Sequence, residues 1–180
     1  MQASSIKDAN ALRIFKETEN RIESISSVHE MLYHSKDMAS VDFRGYVNKL
    51  IKTIYTTYGD RMSGVELTTD VGDVSLGIDL AIPCGLLINE LLTNAVKYAF
   101  PDGKTGEIYI GLHPAADDTI ELTVRDDGLG IPSVLDIWNT ETLGYQLITG
   151  IARTQLNGEI ELNTDKGTEI KVRFKVRDNG

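Results

Sequence analysis

Hydrophobic residues change period several times along this chain, and each change marks an element. From about Asp8 to Ser35, Leu12, Phe15, Ile22, Ile25 and Leu32 recur at near-heptad spacing with charges between them. That narrow stripe predicts a long helix packed on another helix, in a bundle or a dimer. Asp42 is placed to cap a second helix carrying Phe43, Tyr46, Val47, Leu50, Ile54 and Tyr58, which Gly59 ends. Val65 to Asp70 alternates like a strand, and Val74 to Ile78 is its expected partner. A helix opening at Asp79 or Ala81, with Pro83 in its first turn, should then run to Phe100. Strands follow at Gly106–His113 and Thr119–Thr123, joined by a turn at Ala115–Asp118. A helix from Leu143 to Leu156 and strands at Glu159–Asn163 and Thr168–Val176 complete the pattern. Successive strands with helices on one face predict an α+β fold, a two-layer α/β sandwich preceded by a helical segment.

Two of these elements carry chemistry. On the helix from Leu87 to Phe100, Glu90, Asn94 and Lys97 share one face, opposite Leu87, Leu91, Leu92, Ala95 and Val96. A carboxylate, a carboxamide and an ammonium so aligned can hold a magnesium–phosphate assembly. The bland alternative is a half-solvated face with an i,i+4 polar pair. The second element is the end of the strand at Val124, followed by Arg125-Asp126-Asp127-Gly128-Leu129-Gly130. Here Gly-x-Gly lets the backbone approach a flat ligand while Asp126 accepts a hydrogen bond from it. A tight turn with solvated carboxylates is the bland reading.

In this order and spacing the two segments resemble the ATP-binding fold shared by gyrase-type ATPases, heat-shock chaperones, sensor histidine kinases and mismatch-repair proteins. The first looks like the family's N box and the second like its first glycine box. Thr142-Leu143-Gly144-Tyr145-Gln146-Leu147 resembles the second glycine box, and Gly167-Thr168 the terminal strand that approaches the nucleotide. Within the superfamily, Asn20 to Tyr33 is similar to the second dimerisation helix of the short-lid, HWE-type histidine kinases.

The resemblance implies roles. Asn94 would ligate Mg2+, Glu90 would position a water or act as the catalytic base, and Lys97 would meet phosphate. Tyr98 would lie beside the nucleotide, Asp126 would accept from the adenine amine, and Gly128 and Gly130 would let the backbone pass close to the base. Gly144 would offer helix-end amides to the phosphates, and Thr168 would bond near the adenine. The cofactors implied are ATP and Mg2+, and the partners a response regulator and, in the whole protein, a second copy. Residues 1–40 would belong to the dimerisation and phosphotransfer region and 41–180 to the catalytic domain. An anti-sigma-type serine kinase and a non-catalytic scaffold are the alternatives. Two departures stand out: Thr142 replaces the first glycine of the second box, and the short lid holds Ile137 and Trp138, expected to pin it to the core.

Composition narrows the picture further. The net charge of −9 argues against a nucleic-acid surface, although local cations still permit ATP. A single cysteine, Cys84, excludes an internal disulfide, suits a reducing cytoplasmic setting, and is expected to be a buried apolar residue. No signal peptide or bilayer-length apolar run is expected. Of the histidines, His113 is expected at the surface and His34 at a helix end. His29, followed by Glu30, has the acidic neighbour that suits a phosphoacceptor. The family pattern puts the acceptor on an earlier helix, in a motif this chain lacks, so a packing role for His29 is preferred and the chain is expected to begin after the acceptor.

Overall fold

The computed structural model describes residues 41–132, 137–138 and 142–176, together with positions 8, 15, 18, 19, 22 and 26. Phe15, Thr18, Glu19, Ile22 and Ser26 are helical, in keeping with the amino-terminal stripe. Leu12, Ile25, His29, Leu32 and His34 lie outside the described residues.

Helix α1 spans Phe43–Tyr58, capped by the Asp42 carboxylate, which accepts from the Gly45 amide at 2.9 Å. Phe43, Tyr46, Val47, Leu50 and Ile54 form its buried face. A 3-10 turn at Gly59–Met62 leads into strand β1, Val65–Val71. Helix α2 runs Ile78–Asn94 and continues as a π-helical turn at Ala95–Ala99. Strands β2 (Gly106–Pro114) and β3 (Thr119–Asp126) follow. Helix α3, Leu143–Gly150, also ends in a π-turn, Ile151–Gln155. Strands β4 (Glu159–Asn163) and β5 (Thr168–Lys175) complete one five-stranded sheet in the order β1-β2-β3-β5-β4.

Two local expectations are corrected. Val74–Ile78 does not pair with β1; only Leu76 forms a bridge, with Val41. The partner of β1 is β2, in parallel, from Val65 opposite Gly106 to Val71 opposite Leu112. Parallel neighbours need a crossover, and α2 is that crossover, so the pairing lies beyond any local pattern. The second correction concerns Pro83, which sits inside α2 rather than in its first turn, because the helix begins earlier, after Gly77. Its missing N–H removes one bond near the start of the helix, where the following turns are held by burial.

Alternation on the strands separates two faces. Ile108, Ile110, Leu112, Ile120, Leu122, Val124, Ile170, Val172 and Phe174 point into a core shared with α1, α2 and α3. The other face is polar and neutralises itself: Arg173 donates to Glu121 at 2.6 Å, and the Arg125 guanidinium lies 5.4 Å from the Tyr109 ring centre. This is the expected two-layer sandwich. Helix α2 is its centrepiece. By length and mean hydropathy (1.2), Ile78–Ala99 is apolar enough to cross a bilayer, contrary to the expectation that no such run exists, yet 67% of that window is buried inside the fold.

Tyr46 of α1 reaches α2 only because Gly85 has no side chain; a Cβ there would overlap the phenol. Alanine in place of this helical glycine would gain about 1 kcal/mol in propensity. Overpacking a core outweighs that, so Gly85→Ala should destabilise the fold by roughly 1–2 kcal/mol net. Urea denaturation measures it, and a stabilised variant would mean the Tyr46–Gly85 contact is not close.

Candidate functional site

Four segments end at one place: the last turns of α2, the loop after β3, the first turn of α3 and the start of β5. Each brings residues that the sequence singled out. On α2, Glu90 is 6% exposed, whereas Asn94 and Lys97 are half-buried and Tyr98 is exposed. Lys97 and Tyr98 stand on the π-turn, which redirects them from straight α-helical spacing; such turns recur at functional sites.

Gly144, the second residue of α3, faces this helix. A Cβ built on it would lie 3.8 Å from both the Asn94 Oδ1 and the Glu90 Oε2. The first turn of α3 therefore stands over the two oxygens, and its first amides lack partners within the helix, as at any helix start. Two hard oxygen donors suit a cation that completes its shell from water and phosphate. Among the described residues no group of three or more His, Cys, Asp or Glu could hold a metal by itself. The donor set thus fits Mg2+ arriving with a phosphate ligand, rather than a protein-only cage.

On β3, the two aspartates separate in role. Asp127 continues the β2–β3 ladder: its amide donates to the Glu107 carbonyl, and its carboxylate accepts from the Glu107 amide at 2.7 Å. Asp126 points to the buried side, 6% exposed, opposite Thr168 on β5. Its Oδ1 accepts from the Gly128 amide at 3.0 Å and the Thr168 amide at 3.3 Å. Burial pushes this carboxyl above its ordinary range, and the bonds from Gly128 and Thr168 pull partly against that. A carboxylate has about four acceptor positions, so these bonds leave room for a ligand donor.

The glycines set how closely the loop approaches its surroundings. A Cβ at Gly128 would overlap the Ala99 carbonyl, and the Leu129 amide donates to that same carbonyl at 3.0 Å. Gly130 and Gly167 have φ of +73° and +88°, a conformation that strains other residues. They face each other, since a Cβ on Gly130 would stand 2.9 Å from the Gly167 carbonyl oxygen.

One residue in the region had no assigned role. Tyr145, half-buried beside Gly144, has its phenol held neutral first by burial, then by the nearby Asp126 carboxylate and Tyr98 phenol. The only sequence signal was an aromatic residue within the second glycine box. Elsewhere, Ile137 is buried, whereas Trp138, also expected to pin the lid, is 40% exposed with the Arg153 guanidinium 5.1 Å from its ring centre. His113 pairs at the surface with Asp70 at 3.2 Å. Cys84 is fully buried, which pushes its thiol far up and leaves it inert.

Comparison with known proteins gives a consistent pattern. Residues 80–178 match the family described as Histidine kinase-, DNA gyrase B-, and HSP90-like ATPase, and residues 1–58 match one described as Histidine kinase. The sensor histidine kinase PdtaS of Mycobacterium tuberculosis is 26% identical over all of this chain, which spans 36% of that protein's length. Blue-light-activated histidine kinase 2 of Erythrobacter litoralis is 26% identical over 85% of the chain and 44% of its own length. The solved histidine kinase domain of the Erythrobacter litoralis EL346 blue-light activated kinase superposes with a TM-score of 0.78 at 22% identity. That superposition covers 88% of this chain and 74% of the solved one.

Because the Asp126 carboxyl is raised on folding, its contribution to stability is largest below the ordinary aspartate range and is lost as pH rises through the raised value. Asp126→Asn keeps an oxygen for both amides and removes the buried charge. The ligand-free variant should therefore be at least as stable as wild type at pH near 7, with its advantage shrinking as pH falls toward about 4. Thermal melts across that range test this, and a clear loss of stability at neutral pH would contradict it.

Proposed function

Since more than half of this chain matches it, the chain belongs to the histidine kinase-, DNA gyrase B- and HSP90-like ATPase family, and we propose that it is the catalytic, ATP-binding part of a two-component sensor histidine kinase. The observation that carries the reading is the convergence of Glu90 and Asn94 under Gly144, together with a buried Asp126 held by the Gly128 and Thr168 amides. On this reading residues 41–180 are the catalytic domain and residues 1–40 part of the dimerisation region. Helix α1 supports the boundary, since its apolar face is part of the sheet's own core.

The residues divide the labour along the nucleotide. Asp126 accepts from the adenine exocyclic amine, while Gly128 and Gly130 keep the backbone flat against the base. Thr168, already bonded to Asp126, holds that carboxylate in place and stands near the base. Asn94 would hold Mg2+, which would screen the phosphate charge. Lys97 neutralises phosphate charge, and the α3 turn at Gly144 offers amides to it. Transfer of a phosphoryl group asks a protein mainly for position and charge stabilisation. The γ-phosphorus–oxygen bond breaks to leave ADP, and a histidine nitrogen forms the new bond to phosphorus. Glu90 sits where it can orient water or the attacking group. The phosphorylated histidine would then serve a response regulator. We place the acceptor at none of His29, His34 and His113.

Loss of one hydrogen bond to a charged partner costs about 1.5–3 kcal/mol, so Asp126→Asn should weaken ATP binding roughly ten- to hundredfold. Asn94→Ala should abolish the magnesium dependence of that binding. Calorimetric titration with and without magnesium checks both, and unchanged affinity in Asn94→Ala would sink the assignment. With γ-labelled ATP, wild type should bind nucleotide yet take up no acid-labile label on its own histidines. Label lost in His29→Ala would relocate the acceptor into this chain, and acid-stable label on a partner would point to a serine kinase instead.

A further inference from the structure

Helix α1 is charged against the grain of the molecule. It carries Arg44, Lys49 and Lys52 and no acidic residue, so this +3 helix belongs to a chain whose net charge of −9 leaves −12 elsewhere. Its solvent face is ordered by the helix period: Arg44, Asn48, Lys52 and Tyr55 fall on one side, opposite the buried Phe43, Tyr46, Leu50 and Ile54. Arg44 is fixed there, donating from Nη2 to the Val71 carbonyl at 2.5 Å. Tyr55 is 41% exposed.

Thr53 and Thr56 turn their hydroxyls back onto the carbonyls of Lys49 and Lys52, at 3.1 and 2.9 Å. Their donors are thus used within the helix, beside the face that carries Arg44, Lys52 and Tyr55. Arginine and tyrosine on one exposed face are the composition that protein interfaces favour. By contrast, the outer face of the sheet joins Arg173 to Glu121 and Glu161, and Lys171 to Glu169. Those cations meet carboxylates within the sheet, whereas α1 carries no carboxylate of its own.

We propose that the Arg44–Lys52–Tyr55 face of α1 docks an acidic partner protein, through a helix or strand that sets carboxylates against Arg44 and Lys52 and an apolar side chain against Tyr55. The position suits a protein that comes to the candidate site. Helix α1 ends in the Gly59–Met62 turn, which packs on the Ala95–Ala99 turn bearing Lys97 and Tyr98. A partner seated on α1 is therefore held one turn away from that site without covering it. The proposal does not depend on the nucleotide reading.

The test uses the full chain and two fluorescein-labelled amphipathic helical peptides, one of Glu and Leu and the other with Gln replacing every Glu. Anisotropy should show the Glu peptide binding at least about tenfold more tightly than its Gln counterpart, and weakening as salt is raised. Lys52→Glu and Tyr55→Ala should each lower affinity for the Glu peptide by about tenfold while leaving thermal melts and ATP affinity at wild-type values. Equal binding by the two peptides, unchanged affinity in Lys52→Glu, or displacement of the peptide by magnesium-ATP would overturn the proposal. So would stronger binding to phosphatidylserine vesicles than to the Glu peptide, since a membrane would then be the occupant.

Discussion

One buried carboxylate ties the glycine loop and the start of β5 to the end of a central strand. Asp126 ends a central strand, and its Oδ1 takes the amides of Gly128 and Thr168. The first bond folds the glycine loop back on the strand, and the second fixes the start of β5 beside it. Burying that charge works against folding, as the upward push on its pKa indicates. An apolar residue would be easier to bury but could not gather two amides from separate segments. The arrangement trades stability for a preorganised acceptor, a pattern typical of binding sites.

Helix α2 meets the complementary demand. Leu80, Ala81, Cys84, Leu87, Ile88 and Leu92 are buried in the core, while Glu90, Asn94 and Lys97 follow one another toward its C-terminal end. One helix therefore supplies the crossover between the two parallel strands, the centre of the core and one wall of the site. The π-turn at Ala95–Ala99 lets its final residues leave the straight path and receive the loop at Gly128, whose neighbour Leu129 bonds Ala99. With the glycine contact at Gly144 and the start of β5 at Thr168, the walls of the candidate site come from four segments, several of them far apart in sequence. Helix α1 lies beside them, and its run of cations without an acidic residue distinguishes it from the mixed-charge outer face of the sheet.

The candidate site residues could be singled out because their residue types recur at local spacings. Glu90, Asn94 and Lys97 recur at helical offsets, and Asp126 precedes Gly-x-Gly at the end of an alternating strand. Tyr145 carried no such pattern, and its nearness to Asp126 and Tyr98 arises from the docking of α3 on α2. Which of Asp126 and Asp127 serves the ladder was likewise settled by the sheet. Strand alternation places Asp126 on the buried face, and the Glu107 amide takes up Asp127.

Sequence alone determined the identity and order of most elements, the apolar face of each, and the residue types able to hold a charged, planar ligand. Those properties follow from backbone periodicity and side-chain chemistry, which act over a few residues. Tertiary structure decided that β1 pairs in parallel with β2, that Leu76 only bridges to Val41, and that Gly144 stands over Glu90 and Asn94. These contacts join segments distant in the chain. What selects them is the closure of one shared core, a condition no local window can express.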